Sequence, residues 1–241
     1  MNGAWIDIDL DAIRANYRLV CGQLQSGSRV MAVVKADAYG LGAIEVALTL
    51  EEEGCPGFAV TTVKEGLLLR KHGITGLILV LGPADREDFA RVLENGLHLT
   101  LSSLTQLDEL QEEARRVGRE AEVHLKLETG MGRTGFKPEE LPALAQRLQT
   151  AGWIKAVGVY THFARAGQRD RAYTQRQYAQ FSAGIKLLAD AGITPRWQHV
   201  CNSAGFLDYP EWHLDFVRIG TLLIGHLPGV GFKGRLKLSD P

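Results

Sequence analysis

The stretch "VVKADAYGLGAIE", residues 33–45, ends an apolar, β-rich run in a lysine and follows it with Tyr39, Gly40 and Gly42. Two folds place such a segment directly after a first strand. A doubly wound dinucleotide-binding sheet writes its glycines as GxGxxG, for a tight turn, close approach to a pyrophosphate and packing of helix on strand. Here "GLGAIE", residues 40–45, begins that way and lacks the third glycine. A barrel of alternating strands and helices makes no such demand. It collects its chemistry at the carboxyl ends of its strands, which is where Lys35 stands.

Working outward, eight short β-rich runs alternate with longer segments of helical period. They are "VMAVV" (30–34), "GFAVT" (57–61), "GLILVL" (76–81), "LHLTL" (97–101), "EVHLKLE" (122–128), "IKAVGVYTH" (154–162), "WQHVC" (197–201) and "LDFVRI" (214–219). Strands separated by helical patterns signal parallel pairing through crossover helices. The segment "SSLTQLDELQEEARRVG", residues 102–118, shows the helical half of the pattern: Leu104, Leu107 and Leu110 share a face, Ser102 or Ser103 can cap it, and Gly118 stops it. The expectation is an α/β fold, a (β/α)8 TIM barrel over residues 1–228, with an extra helix around Asp11–Gln23. The 241 residues suit a fold that needs about 250. The last stretch, 229–241, is rich in glycine and basic residues and reads as an exit from the domain.

Composition narrows the partners. Lys plus Arg total 27 against 28 Asp plus Glu, a net charge of -1, so nothing favours nucleic acid or an anionic membrane over a small molecule. No run approaches the roughly 18 apolar residues of a membrane span, and "MNGAWIDIDLD" lacks the basic-then-apolar order of a signal peptide. A soluble, cytoplasmic protein is expected. Cys21, Cys55 and Cys201 are widely spaced, with no metal-site companions, and read as reduced packing thiols.

The strand-end rule selects Lys35 after the first strand, Arg133 after the fifth, His162 ending the sixth, Asn202 and Ser203 after the seventh, and Arg218 in the eighth. Gly130, Gly132 and Gly135 around Arg133 allow the backbone close to a ligand. Ser203, Gly220 and Thr221 follow the seventh and eighth strands, the usual phosphate position in this fold. A lysine at such a mouth suggests an imine to pyridoxal 5'-phosphate. Alternation in "EVHLKLE" puts His124, Lys126 and Glu128 on one face, so Lys126 points into the barrel near Arg133 if the leucines face the helices.

The motifs "AVVKADAYGLGA", "LKLETGMGRTG", "VYTHFA", "CNSAG" and "DFVRIGT", with the opening "WIDIDLDAIRANYR", closely resemble the alanine racemase family. The resemblance runs from about Trp5 to Gly225 and implies a pyridoxal phosphate-dependent isomerase that supplies D-alanine. It implies that Lys35 carries the cofactor and acts as one acid-base group, and that Tyr39, Ser203, Gly220 and Thr221 hold its phosphate. His162 would lie against the pyridine ring, Arg133 would meet the substrate carboxylate, and Arg218 would meet the pyridine nitrogen. The lysine matching Lys126 is often carbamylated in the family; the other reading leaves Glu128 to balance Arg133. Family members continue into a C-terminal β-domain that carries the second base, a tyrosine acting in a partner subunit. A homodimer, or a partner chain supplying that domain, is therefore expected. Two alternatives are a racemase of serine or another small amino acid, and a non-catalytic pyridoxal phosphate-binding protein.

Overall fold

The computed structural model describes residues 5–241. Helix α1 (Leu10–Cys21) starts at the Asp9 carboxylate, which accepts from the N–H groups of Asp11 and Ala12 at 2.9 and 3.1 Å. Strand β1 (Arg29–Val33) leads through the short helical turn α2 (Lys35–Gly40) into α3 (Ala43–Glu52). Then come β2 (Gly57–Val60), α4 (Val63–Lys71), β3 (Leu77–Val80), α5 (Phe89–Glu94) and β4 (His98–Leu101). Helix α6 (Leu104–Val117) has the Ser103 hydroxyl as its cap and a left-handed Gly118 at its end, and leads to β5 (Ala121–Lys126). The chain closes with α7 (Leu141–Thr150), β6 (Ile154–Tyr160), α8 (Ala172–Asp190), β7 (Trp197–His199), α9 (Ser203–Asp208) and β8 (Phe216–Ile219).

All strand pairs are parallel, in the order β7-β6-β5-β4-β3-β2-β1-β8. The two ends of that order meet: Asp215 N–H donates to Gln198 O at 3.1 Å and Arg218 N–H to Cys201 O at 2.9 Å. The sheet is thus the expected (β/α)8 barrel. Six of its strands stop one or two residues before the apolar runs do, because the chain leaves the ladder to turn over the mouth, while β4 and β8 end with their runs. No helix among the described residues is long and apolar enough to cross a membrane.

Alternation divides the side chains between two interiors. Outward residues such as Val30, Phe58, Ile78 and Leu125 pack against Leu50, Leu69, Leu107 and Leu110 of the helices. Inside the barrel, Met31, Ala59, Leu79 and Phe216 form an apolar cluster on the β1, β2, β3 and β8 side. The β4 to β7 side is polar, with His98, His124, Tyr160 and His199 all buried. Gly158 makes room for one of these: a Cβ there would lie 2.2 Å from His124 Nδ1.

Residues 229–241 fold back on the barrel. Phe232 and Leu236 are buried, and Asn16 of α1 pairs with Ser239, donating from Nδ2 to its carbonyl and accepting from its N–H at 2.8 Å each.

The turn α2 has an unusual backbone. Ala36, Asp37, Ala38 and Tyr39 have φ of 50, 55, 51 and 60°, so four consecutive L-residues wind left-handed, at about 1–2 kcal/mol each. Three carboxylate oxygens hold them there. Glu65 of α4 accepts from Ala36 N–H at 2.7 Å with one oxygen and from Thr61 and Thr62 N–H at 2.8 and 2.9 Å with the other. The Asp37 carboxylate accepts from Ala43 N–H at 2.7 Å. Ala36→Gly, which in a right-handed helix would cost about 1 kcal/mol, is therefore expected to leave stability unchanged or raise it by up to about 1 kcal/mol. Denaturant unfolding checks this; a clear loss of stability would show that the left-handed turn is not strained.

Candidate functional site

The strand carboxyl ends and their loops enclose a cleft of about 780 Å³. Lys35, Lys126, Arg133, His162, Ser203 and Arg218 line it, and so do Tyr39, Asn202, Gly220 and Thr221. Every residue singled out in the sequence therefore meets at one mouth. The left-handed turn explains how two of them get there. Lys35 and Tyr39 both face the cleft, separated by a segment too tightly wound for an extended loop.

One pole of the cleft is a cradle of hydroxyls. Tyr39 Oη stands over Gly220, where an added Cβ would come within 2.2 Å of it and would push the Tyr39 ring aside. The Ser203 hydroxyl accepts from Gly220 N–H at 3.4 Å. The Thr221 hydroxyl is buried and has no hydrogen-bond partner among the described residues. Asn202 does other work: its oxygen caps α9 through Gly205 N–H at 2.9 Å and its amide reaches Phe163 O at 3.4 Å, fixing the turn that presents Ser203.

The opposite pole is cationic. Arg218 is buried and its two terminal nitrogens are fully engaged: Nη1 with His199 Nδ1 and O at 2.8 and 3.0 Å, Nη2 with Thr161 and Val200 carbonyls at 2.8 and 3.2 Å. That leaves Nε–H as the donor with no acceptor among the described residues. Burial lowers the guanidinium to about 10, still well above neutrality. Lys126 is buried and donates to Thr134 Oγ1 at 2.7 Å. Burial, then the charges of Arg133 and Arg218, push it down to about 8. Glu128 answers these charges only in part: its charge acts to raise Lys126 but does not outweigh burial and the two guanidiniums, and its oxygens accept from the N–H groups of Gly130, Gly132 and Arg133. Arg133 stands exposed at the rim on this glycine loop, where Gly130, Gly132 and Gly135 have φ of 124, 69 and 128°.

Comparison with known proteins agrees with this geometry. The sequence profile of the family "Alanine racemase, N-terminal domain" matches residues 8–228. The chain belongs to that family. An alanine racemase of Symbiobacterium thermophilum is 40% identical over 239 residues, covering 99% of this chain and 63% of the relative. One from Methanococcus maripaludis is 39% identical, covering 93% and 60%. The solved alanine racemase of Clostridium difficile 630 superposes with a TM-score of 0.93 at 37% identity, over 97% of this chain and 62% of that one. The Bacillus anthracis alanine racemase with bound L-Ala-P also gives 0.93, at 34% identity. The chain thus spans just under two thirds of the length of these relatives.

Within this alanine racemase N-terminal domain, three contributors escaped sequence reasoning. Tyr160 floors the cleft, its ring stacked on His199 at 4.7 Å and its hydroxyl donating to Thr100 Oγ1 at 2.8 Å, which in turn donates to Val80 O. His199 orients Arg218, and Glu65 holds the turn after Lys35. Strand alternation could have turned Tyr160 and His199 inward; nothing local marks Glu65 beyond its capping box with Thr62.

His162 is pushed down to about 3, first by burial and then by Arg218, Arg133, Lys126 and Lys35. It is a neutral imidazole at working pH. The unfolded chain takes up this proton near the ordinary 6.5, so the folded state's advantage is full above that value and is lost as pH falls toward about 3. His162→Gln should flatten the acid side of the stability profile by up to about 1.4 kcal/mol per pH unit in that window. Unfolding measured across it checks this; an unchanged slope would mean that His162 is protonated in the fold.

Proposed function

We propose that the chain is the pyridoxal 5'-phosphate-binding barrel of an alanine racemase, and that the whole protein interconverts L- and D-alanine. One observation carries the reading: a primary amine, a hydroxyl cradle, a fixed guanidinium with Nε–H to spare and a rim guanidinium share one mouth. The buried, unpartnered Thr221 hydroxyl, with the Tyr39 and Ser203 hydroxyls gathered at Gly220, fits a phosphate. When bound, the cofactor supplies the electron sink that makes a substrate Cα–H removable.

Each side chain then has a task. Tyr39, Ser203 and Thr221 bind the phosphate through hydroxyls, and Gly220 gives it backbone access. Asn202 holds Ser203 in place. Arg218 would offer Nε–H to the pyridine nitrogen and, as a guanidinium, keep its own proton. That would restrain charge build-up and favour removal and return of a proton at Cα over other outcomes. His162, neutral, would bind the cofactor without adding charge. Arg133, exposed at the rim, would bind the substrate carboxylate. Lys35 binds the cofactor and moves a proton on one face of Cα.

Lys126 supports the carbamylated form. At about 8, roughly one molecule in ten is a free amine at pH 7. With Glu128 committed to backbone, a carbamate is the available negative partner for Arg133. Serine or another small amino acid remains within the same chemistry, since the proposed roles act on the cofactor, the carboxylate and Cα and not on the substrate side chain.

The second face of Cα needs its own proton-transfer group. Among the described residues no tyrosine supplies it: Tyr39 is assigned to the phosphate, Tyr160 is spent on Thr100, the Tyr173 hydroxyl on Gly130 O, Tyr178 is stacked on Trp212 away from the cleft, and Tyr17 and Tyr209 are buried. A β-domain, in a homodimer or on a partner chain, is the proposed source, with residues 229–241 leading toward it and the assembly cytoplasmic.

Two outcomes test this. Borohydride treatment after loading with pyridoxal phosphate should label Lys35, and Lys35→Ala should abolish the label; a label elsewhere overturns the assignment. In deuterated water, residues 1–241 alone should exchange the α-proton of one alanine enantiomer yet racemise at least about a hundredfold more slowly than a two-domain relative. Full two-way racemisation by this chain would place the second base inside the barrel.

A further inference from the structure

The polar half of the barrel interior holds three buried imidazoles in contact, none of which reaches the cleft's ligand space. Their distances define a chain. Arg218 Nη1 lies 2.8 Å from His199 Nδ1, His199 Nε2 lies 2.9 Å from His124 Nδ1, and His124 Nε2 lies 3.3 Å from His98 Nδ1. His98 Nε2 ends it 3.1 Å from a carboxylate oxygen of Glu122, at the opening opposite the mouth.

The direction of every bond follows from the first. A guanidinium only donates, so His199 Nδ1 must accept. A neutral imidazole has one N–H, so His199 donates from Nε2, and His124 must accept at Nδ1 and donate from Nε2. The same step makes His98 accept at Nδ1 and donate to Glu122. All three rings are neutral, each held below its ordinary value first by burial.

We propose that His199, His124, His98 and Glu122 are positioning residues for Arg218: a one-way hydrogen-bond chain through the barrel axis that fixes the guanidinium and gives it a remote counter-ion in Glu122. Arg218 has no carboxylate within ion-pair distance among the described residues, and a buried charge needs compensation. Bonds aligned head to tail polarise one another in a low-dielectric interior, so the far carboxylate is felt at the near end. Trp197 walls the chain, stacked on His124 at 5.9 Å, and Lys155 shares Glu122 from outside at 3.6 Å. Arg70 adds a further positive charge near His98.

The device is cooperative by construction. A proton added to His98 would make Nδ1 a donor, turn His124 and then His199 over to their other tautomers, and set His199 Nδ1–H against Arg218 Nη1–H. One reversed ring anywhere sets donor against donor in the chain, and a reversed His199 does so at Arg218 itself. The value of this to the proposed racemase rests on Arg218 meeting the pyridine nitrogen; the chain itself does not.

Long-range proton–nitrogen correlation on the labelled, cofactor-free chain at neutral pH reads the tautomers directly. His98, His124 and His199 should all be Nε2–H, with bare Nδ1. Glu122→Gln keeps an acceptor oxygen and removes only charge; it should shift the nitrogen resonances of all three rings, while Glu120→Gln, on the neighbouring exposed residue, should not. The affinity of Glu122→Gln for pyridoxal phosphate should fall roughly two- to tenfold. An Nδ1–H or doubly protonated His124 or His199, or a Glu122→Gln effect confined to His98, overturns the proposal. Wild-type chain that shows the expected tautomers yet binds no pyridoxal phosphate would sink the functional reading instead and leave the chain standing.

Discussion

The barrel depends on one buried charge. Arg218 sits in β8 at the seam where β8 meets β7, and its side chain bonds to carbonyls at the upper ends of β6 and β7. Those bonds close the barrel where ladder pairing is sparse. They also hold the guanidinium so that its remaining donor is free for a ligand. An ion removed from water costs several kcal/mol unless its donors are met, so the polar filling of one half of the barrel is a condition for keeping that charge inside. The apolar cluster of Met31, Ala59, Leu79 and Phe216 can afford no such group.

The two carboxylates nearest the mouth are occupied in shaping backbone. Glu65 pins the left-handed turn that delivers Lys35 and Tyr39, and Glu128 gathers the N–H groups of the loop that delivers Arg133. Burial works against the charge of Glu128, but those N–H groups outweigh it and leave the carboxyl below its ordinary value. Since neither acid turns into the cleft, Lys35, Arg133 and Arg218 give it a positive field that suits a ligand carrying a phosphate and a carboxylate. The strain of four left-handed residues is the cost of that arrangement, and backbone strain of this kind is typical of functional sites.

Much of this was legible in the residues. Eight β-rich runs with helical segments between them specify a parallel barrel, because strands buried on both faces must read as continuous apolar runs and crossovers must carry an amphipathic stripe. The strand-end rule then collected Lys35, Arg133, His162, Ser203 and Arg218, and the motif resemblance named the family that the comparisons bear out. Ser103 as cap and Gly118 as stop of α6 were readable because capping is decided within a few residues.

What only the tertiary structure decided is every contact between residues far apart in the chain. The sequence determined which side chains face inward, through the two-residue period of a strand, so His124 and Lys126 could be turned into the barrel from "EVHLKLE" alone. It could not say that His124 would touch His98 and His199, that Gly158 would make room for it, or that Asn202 would cap the helix that presents Ser203. Nor could it show that residues 36–39 wind left-handed, since alanine, aspartate and tyrosine have no local preference for that conformation. The reason is common to all of these. Strand register, and a carboxylate arriving from another element such as Glu65, set which groups come within hydrogen-bonding distance, and both are properties of the closed barrel as a whole.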